Sequence, residues 1–302
     1  MIHPRIASRL FNAPLMVHPQ KAAAILHGIG YRVTGADCQT DTPALHHVAF
    51  ETGRPSMGVL GDNLGKSIER RGQSVLQVHR GVAIIPVEGS LVHKGGWLGS
   101  NSGETSYQGL QAQVVRAAKD PSVKGVVFEV DSFGGEVSGA FETADLMFEL
   151  SAMKPTLSIL TDHAYSAGYL LASTARAVVI PERGGAGSIG VITMHTDMSK
   201  ALEAQGINVT ILSAGKHKAD GNPFEALPET VAARIQTNLE QSREAFAGHV
   251  SRYRGARLTF EKAMATEALD YTGADAVAAG LADAVGPGLQ AFENFVAQLN
   301  RP

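Results

Sequence analysis

The chain has 302 residues, 44% of them hydrophobic and 18% charged, a composition that allows a sizeable core and excludes a disordered or fibrous protein. Twenty-six Lys and Arg stand against 29 Asp and Glu, a formal net charge of −3, so charge gives no argument for nucleic acid or an anionic membrane as partner. The single cysteine, Cys38, excludes an internal disulfide framework and a cysteine-rich metal site, and it agrees with a reducing, cytoplasmic compartment.

The first 34 residues read as short helical segments punctuated by Pro4, Pro14 and Pro19. They lack the continuous apolar stretch of a signal peptide, and no run of about 20 apolar residues predicts a membrane-spanning helix. Residues 35–80 are polar and glycine-bearing without a sustained period, so residues 1–80 are expected to form an N-terminal arm. His46 and His47 are neighbours, which on a strand point to opposite faces, and no carboxylate or cysteine stands at ligand spacing; no metal is expected. GDNLGKS at 61–67 is one residue short of a phosphate-binding loop, so neither ATP nor another cofactor is expected.

At residue 81 the character changes. GVAIIPVEG (81–89) is a short β-branched apolar run and predicts a buried strand. Leu110, Val114 and Ala117 give residues 106–120 helical spacing, and GVVFEVD (125–131) predicts the next strand. A helix over 134–153 is then launched from Gly134 and Gly135. Strand 156–162, helix 166–175, strand 177–182 and a glycine-rich stretch at 183–192 follow. Residues 228–254 predict a long helix, with Pro228 in its first turn and Val231, Ile235, Leu239, Phe246 and Val250 on one face. A smaller α/β segment closes the domain at residue 286. Continuous apolar strands alternating with helices imply an α/β fold with parallel strands over 81–286, followed by a short tail, 287–302.

Two strand-to-helix junctions carry candidate chemistry. Gly134 and Gly135 can turn backbone N–H groups toward an oxyanion or phosphate, or can serve only a positive φ or close packing. Ser166 sits among Ala164, Ala167 and Gly168, either as an accessible nucleophile or as an ordinary helix N-cap. Three bases compete for its proton: His163, His195 with Asp197 as orienter, and the lysines Lys216 and Lys218. A lysine qualifies only when desolvation or a neighbouring cation keeps it neutral.

Taken in order, Asp-Ser-x-Gly-Gly (131–135), Ala-Tyr-Ser-Ala-Gly-Tyr (164–169), Gly-Ser-Ile-Gly-Val (187–191) and Gly-Lys-His-Lys (215–218) resemble the signal peptide peptidase A family of serine proteases. The resemblance covers roughly residues 81–286. It implies the caseinolytic-protease/crotonase-like fold of repeated strand–turn–helix units, a Ser–Lys dyad of Ser166 and Lys218, and oxyanion-hole amides from Gly134, Gly135 and Ala167. By its place in the Gly-Ser-Ile-Gly motif, Ser188 is expected to hold the lysine in line. Phe133 stands where the family carries proline, which implies a less rigid turn.

The missing apolar anchor, the leader and KADGNPFEALPE (218–229) resemble the tailed-phage head-maturation branch of that family. That branch implies a polypeptide substrate among capsid, scaffold or portal-associated proteins, a homo-oligomer of the ring-forming kind, and work in the host cytoplasm beside the procapsid. No nucleic acid or membrane partner is expected, and any scaffolding segment is expected to be separate or lost. Three alternatives stand beside this reading: a catalytically silent assembly protein of the same fold, a cytoplasmic signal-peptide-peptidase-like protease without a phage role, and an acyl-CoA enzyme. The last would need an acid–base carboxylate at the cleft, where this chain has the serine and lysine.

Overall fold

A computed structural model describes residues 13–19, 63–101 and 103–301. Most of the expected N-terminal arm, with Cys38, His46 and His47, lies outside the described residues. Those described group into two compact units. Residues 16–18, 63–190 and 244–301 make the larger; residues 13–15, 19 and 191–243 make the smaller.

Three parallel strands form the centre of the larger unit: β3 Val82–Val92, β6 Gly125–Glu136 and β7 Thr156–Tyr165. Beyond β7 the sheet forks. β8 Ala177–Ile180 pairs with Leu157–Ile159, and β9 Gly185–Gly187 pairs with His163–Tyr165, both parallel. β10 Asp270–Thr272 adds antiparallel to β9, and β11 Ala284–Val285 adds parallel to β8. On the other side β5 Glu104–Ser106 runs parallel to the end of β3, while β2 Gln77–His79 and β4 Ser100–Asn101 trim the edge antiparallel. The short β1, Leu15–Val17, pairs with β6. The expected mixed α/β fold with a mostly parallel sheet is therefore present.

Its strands are apolar on both faces because both are covered. On one face Phe292, Phe295, Val296 and Leu299 pack over Val82, Val127, Leu157 and Ile159. They come from α9, Gly288–Leu299, so the stretch expected as a short tail carries a core helix. The opposite face is covered by α2 Tyr107–Lys119, α3 Ala140–Met153 and α4 Ala167–Ala172. Val126, Phe128 and Val130 of β6 alternate with Val127, as a strand between two layers requires. α1, Asn63–Arg70, packs Leu64 and Ile68 against Ala112 of α2 and ties Glu69 to Arg116.

Two boundaries differ from expectation. β6 runs on through Gly134 and Gly135 to Glu136, because Ser90 and Leu91 of β3 extend the ladder onto the two glycines. Helix α3 accordingly starts at Ala140 after Gly139 at φ +85°, not at residue 134. The glycine pair is thus part of a strand, and the helix-terminus argument for it lapses.

The long helix, α6 Glu229–Arg254, buries Val231, Phe246 and Val250 of the expected face, while Ile235 and Leu239 stay half-buried. Its last residue, Arg254, has a fully buried side chain. The guanidinium donates to Asp283 Oδ2 at 2.8 Å and twice to the Gly280 carbonyl, at 3.1 and 2.9 Å. Burial alone would raise the Asp283 carboxyl, but the bonds and charge of Arg254, the Val178 amide and Arg257 together hold it below the usual aspartate range. Arg254→Ala removes the buried partner of this carboxylate, which keeps Arg257 and the Val178 amide, and should cost about 1–3 kcal/mol, read as a lower urea midpoint at unchanged slope. A depressed folded pKa gives stability that is complete above the unfolded value and disappears as pH falls through the folded one. Below the ordinary aspartate value of 3.8, wild type should therefore lose stability that an Asp283→Asn variant never had, as acid titrations followed by circular dichroism can measure.

Candidate active site

β7 ends at Tyr165, α4 begins at Ala167, and Ser166 makes the whole connection. It does so at φ 54°, ψ −124°, a region that costs a non-glycine residue about 1–3 kcal/mol. Its side chain makes no capping bond to the helix, so the N-cap reading fails. The Ser166 amide donates to Gly187 O at 2.9 Å, and Oγ has only a long 3.5 Å contact to Gly190 O. A serine held on a strained strand-to-helix turn, its hydroxyl uncommitted to the helix, is how hydrolases present a nucleophile.

Gly134 lies against this turn. A Cβ there would stand 2.0 Å from Met16 O, 2.9 Å from Ser166 Cβ and 3.0 Å from Ala167 N, at a backbone φ of +94°. No side chain fits. The Gly134 amide donates to Ser132 Oγ at 3.1 Å, so what this residue contributes is space. Gly135 needs its missing side chain for another reason: a Cβ would stand 1.9 Å from Leu91 O of β3. Ala167 opens α4, and the first amides of a helix have no partner within it. Ser166, Ala167 and Gly134 therefore form one cluster. Ser188 follows Gly187, the ladder partner of Tyr165, and is buried at φ +55° with its amide bonded to Leu269 O.

The candidate bases are placed very differently. His163 belongs to an aromatic group: it stacks on Tyr165 at 5.1 Å and meets Phe133 edge-on at 5.2 Å, with Nδ1 3.3 Å from Asp162. His195 bonds Asn222 O through Nε2 at 2.9 Å, and Asp197 accepts from the Ser199 amide at the start of α5, Ser199–Ala204. The alternative in which Asp197 orients His195 thus finds both side chains bonded elsewhere. Lys218 lies in the smaller unit, its amide bonded to Gly215 O at 3.1 Å and its side chain exposed. The turn around it is pinned: His217 Nδ1 lies 2.8 Å from Asp220 Oδ2, and Arg234 bonds the same carboxylate. His217 and then Arg234 hold the Asp220 carboxyl below its usual range.

Two features beside Ser166 had no signal in the sequence reading. Phe133, noted only as a departure, joins His18, His163 and Tyr165 in a four-ring cluster. Burial, then the Asp270 and Asp162 carboxylates, pushes the Tyr165 phenol up to about 12. The other feature is the strand β1, Leu15–Val17, with His18 after it, whose only trace is a short apolar run between Pro14 and Pro19. Among the described residues, no three His, Cys, Asp or Glu group as a metal site, and no helix is long and apolar enough to cross a membrane.

The model of peptidase family S49 matches residues 149–300. Capsid assembly protease C of Escherichia phage lambda is 37% identical over 280 residues, covering 93% of this chain and 62% of that protein. The head-tail preconnector protein of Enterobacteria phage P21 is 34% identical over 278 residues, covering 92% of this chain and 54% of that protein. The chain thus spans little more than half the length of these curated relatives. Among solved structures, a membrane-bound stomatin-specific protease in complex with a substrate peptide is similar at TM-score 0.42 and 14% identity, covering 70% of this chain and 78% of that one.

If Ser166 stores backbone strain, glycine at that position should release it. Ser166→Gly is expected to raise stability by about 1 kcal/mol after the entropy cost of glycine, measured by urea denaturation, while removing the candidate hydroxyl. A destabilised variant would mean that the turn is not strained.

Proposed function

The chain belongs to peptidase family S49, and from that premise we propose that it is a serine endopeptidase with Ser166 as nucleophile and Lys218 as general base. The strained Ser166 turn, packed against Gly134 and the Ala167 amide, is the observation that carries the reading. Neutral Lys218 Nζ takes the Ser166 proton as Oγ attacks the peptide carbonyl, then delivers it to the leaving amine. The Ala167 amide, with the Gly135 amide as second donor, receives the oxyanion, while Gly134 leaves room for it; one such donor is worth about 3–4 kcal/mol in the transition state. Ser188 steadies the lysine. Lysine is a base only once its ammonium loses solvent, and the Lys218 side chain is exposed. Bound polypeptide or a second copy of the chain supplies that desolvation, which makes activity dependent on substrate and assembly.

The substrates we infer are capsid, scaffold or portal-associated proteins cut during phage head assembly in the host cytoplasm. The names of the two phage relatives support this. A catalytically silent assembly protein is the second reading, favoured by the 1% exposure of Ser166.

Co-expression with the neighbouring capsid and scaffold proteins, read by intact-mass spectrometry, separates the two. Wild type should yield processed fragments, Ser166→Ala none, and Lys218→Ala a rate reduced by about 10²–10⁴. Cleavage that persists in both variants removes the dyad; particles that assemble without cleavage by wild type favour the silent protein.

A further inference from the structure

Met16, Val17 and His18 lie where a peptide substrate of Ser166 would have to lie. The carbonyl of a scissile residue must reach both the serine and an amide donor. The Met16 carbonyl oxygen, Ser166 Cβ and the Ala167 amide nitrogen border one small space, since a single methyl on Gly134 would run into all three. The segment is held by backbone pairing to the end of β6, beyond its last partner in β7 at Ser132, as peptides are held on a free strand edge. His18 N donates to Phe133 O at 2.8 Å. Side chains reinforce it: the His18 ring stacks on Tyr165 at 4.9 Å and meets Phe133 edge-on at 5.9 Å. Met16 is fully buried and Val17 nearly so, and beneath them Ser166 is closed to solvent.

We propose that residues 16–18 are a built-in competitor that fills the peptide groove beside Ser166 and keeps the peptidase silent until displaced. The proposal rests on Ser166 being the nucleophile. Its physical basis is tethering. A segment of the same chain meets the groove at an effective concentration of order millimolar, so a free peptide of similar sequence competes poorly. The apparent affinity of any substrate then falls by the fraction of molecules in which the groove is open. Covered capsid or scaffold segments presented at high local density during assembly would displace it; dilute cytoplasmic peptides would not.

The test uses the full chain and two readouts, one of them independent of catalysis. In a Ser166→Ala background, a fluorescent peptide with the sequence of residues 13–19 is titrated by anisotropy. Met16→Asp, which puts a charge where Met16 is buried, should bind it at least about tenfold more tightly than the chain with its native strand. His18→Ala, whose half-exposed ring can leave without opening the core, should bind about 2- to 10-fold more tightly through loss of its ring contacts. With Ser166 intact, both variants should cleave β-casein faster than wild type by similar factors. Equal peptide affinity in His18→Ala and the native strand overturns the proposal, whatever the fate of Met16→Asp. Tighter peptide binding with no casein cleavage by any chain upholds the competitor and overturns the peptidase reading instead.

Discussion

Helix α4 approaches the end of β6 to backbone distance, and the candidate site depends on that approach. Gly168 and Gly134 permit it. A Cβ on Gly168 would stand 2.7 Å from Ser132 O, and one on Gly134 would stand 2.9 Å from Ser166 Cβ. Ser132 fills the corner between them, donating to Gly89 O at 2.6 Å and accepting from the Gly134 amide. Gly89 lies where the β3–β6 register shifts, so the irregularity in β3 and the position of the serine turn are linked through one buried hydroxyl. Backbone contacts of this kind leave little room for adjustment. The strain at Ser166 is held because Tyr169, Leu170 and Leu171, which follow it in α4, are all buried, each contributing about 1.5–3 kcal/mol against the 1–3 kcal/mol that the turn costs.

How much of this could be read in the sequence varies with the range of the interaction involved. The apolar runs at 81–89 and 125–131 identified two central strands because a strand buried on both faces must be apolar throughout. The helix after residue 134 was misplaced because Gly-Gly reads as a turn in isolation. Its strand character comes from Ser90 and Leu91, whose pairing lies far away in sequence. The order of motifs pointed to Ser166, Ala167 and Gly134, and these three lie side by side in the structure. It could not reveal that the Gly134 amide is taken by Ser132, or that His18, Phe133, His163 and Tyr165 meet as rings. Four residues from three separate segments leave no local pattern.

The two members of the proposed dyad stand in opposite environments, and each is the wrong one for chemistry at rest. Ser166 is buried; Lys218 is open to water on a turn fixed by His217, Asp220 and Arg234. In the proposed mechanism a polypeptide substrate changes both in one event. Where it replaces residues 16–18 it brings a reactive carbonyl to Ser166, and where it excludes water from the lysine it favours the neutral amine. Neither change alone gives a working pair: an uncovered serine without a base does not attack, and a desolvated lysine beside a covered serine has no proton to take. Coupling both to the arrival of substrate confines cleavage to places where extended polypeptide is concentrated. That property would suit the proposed role beside shell proteins, which a peptidase active before assembly would destroy.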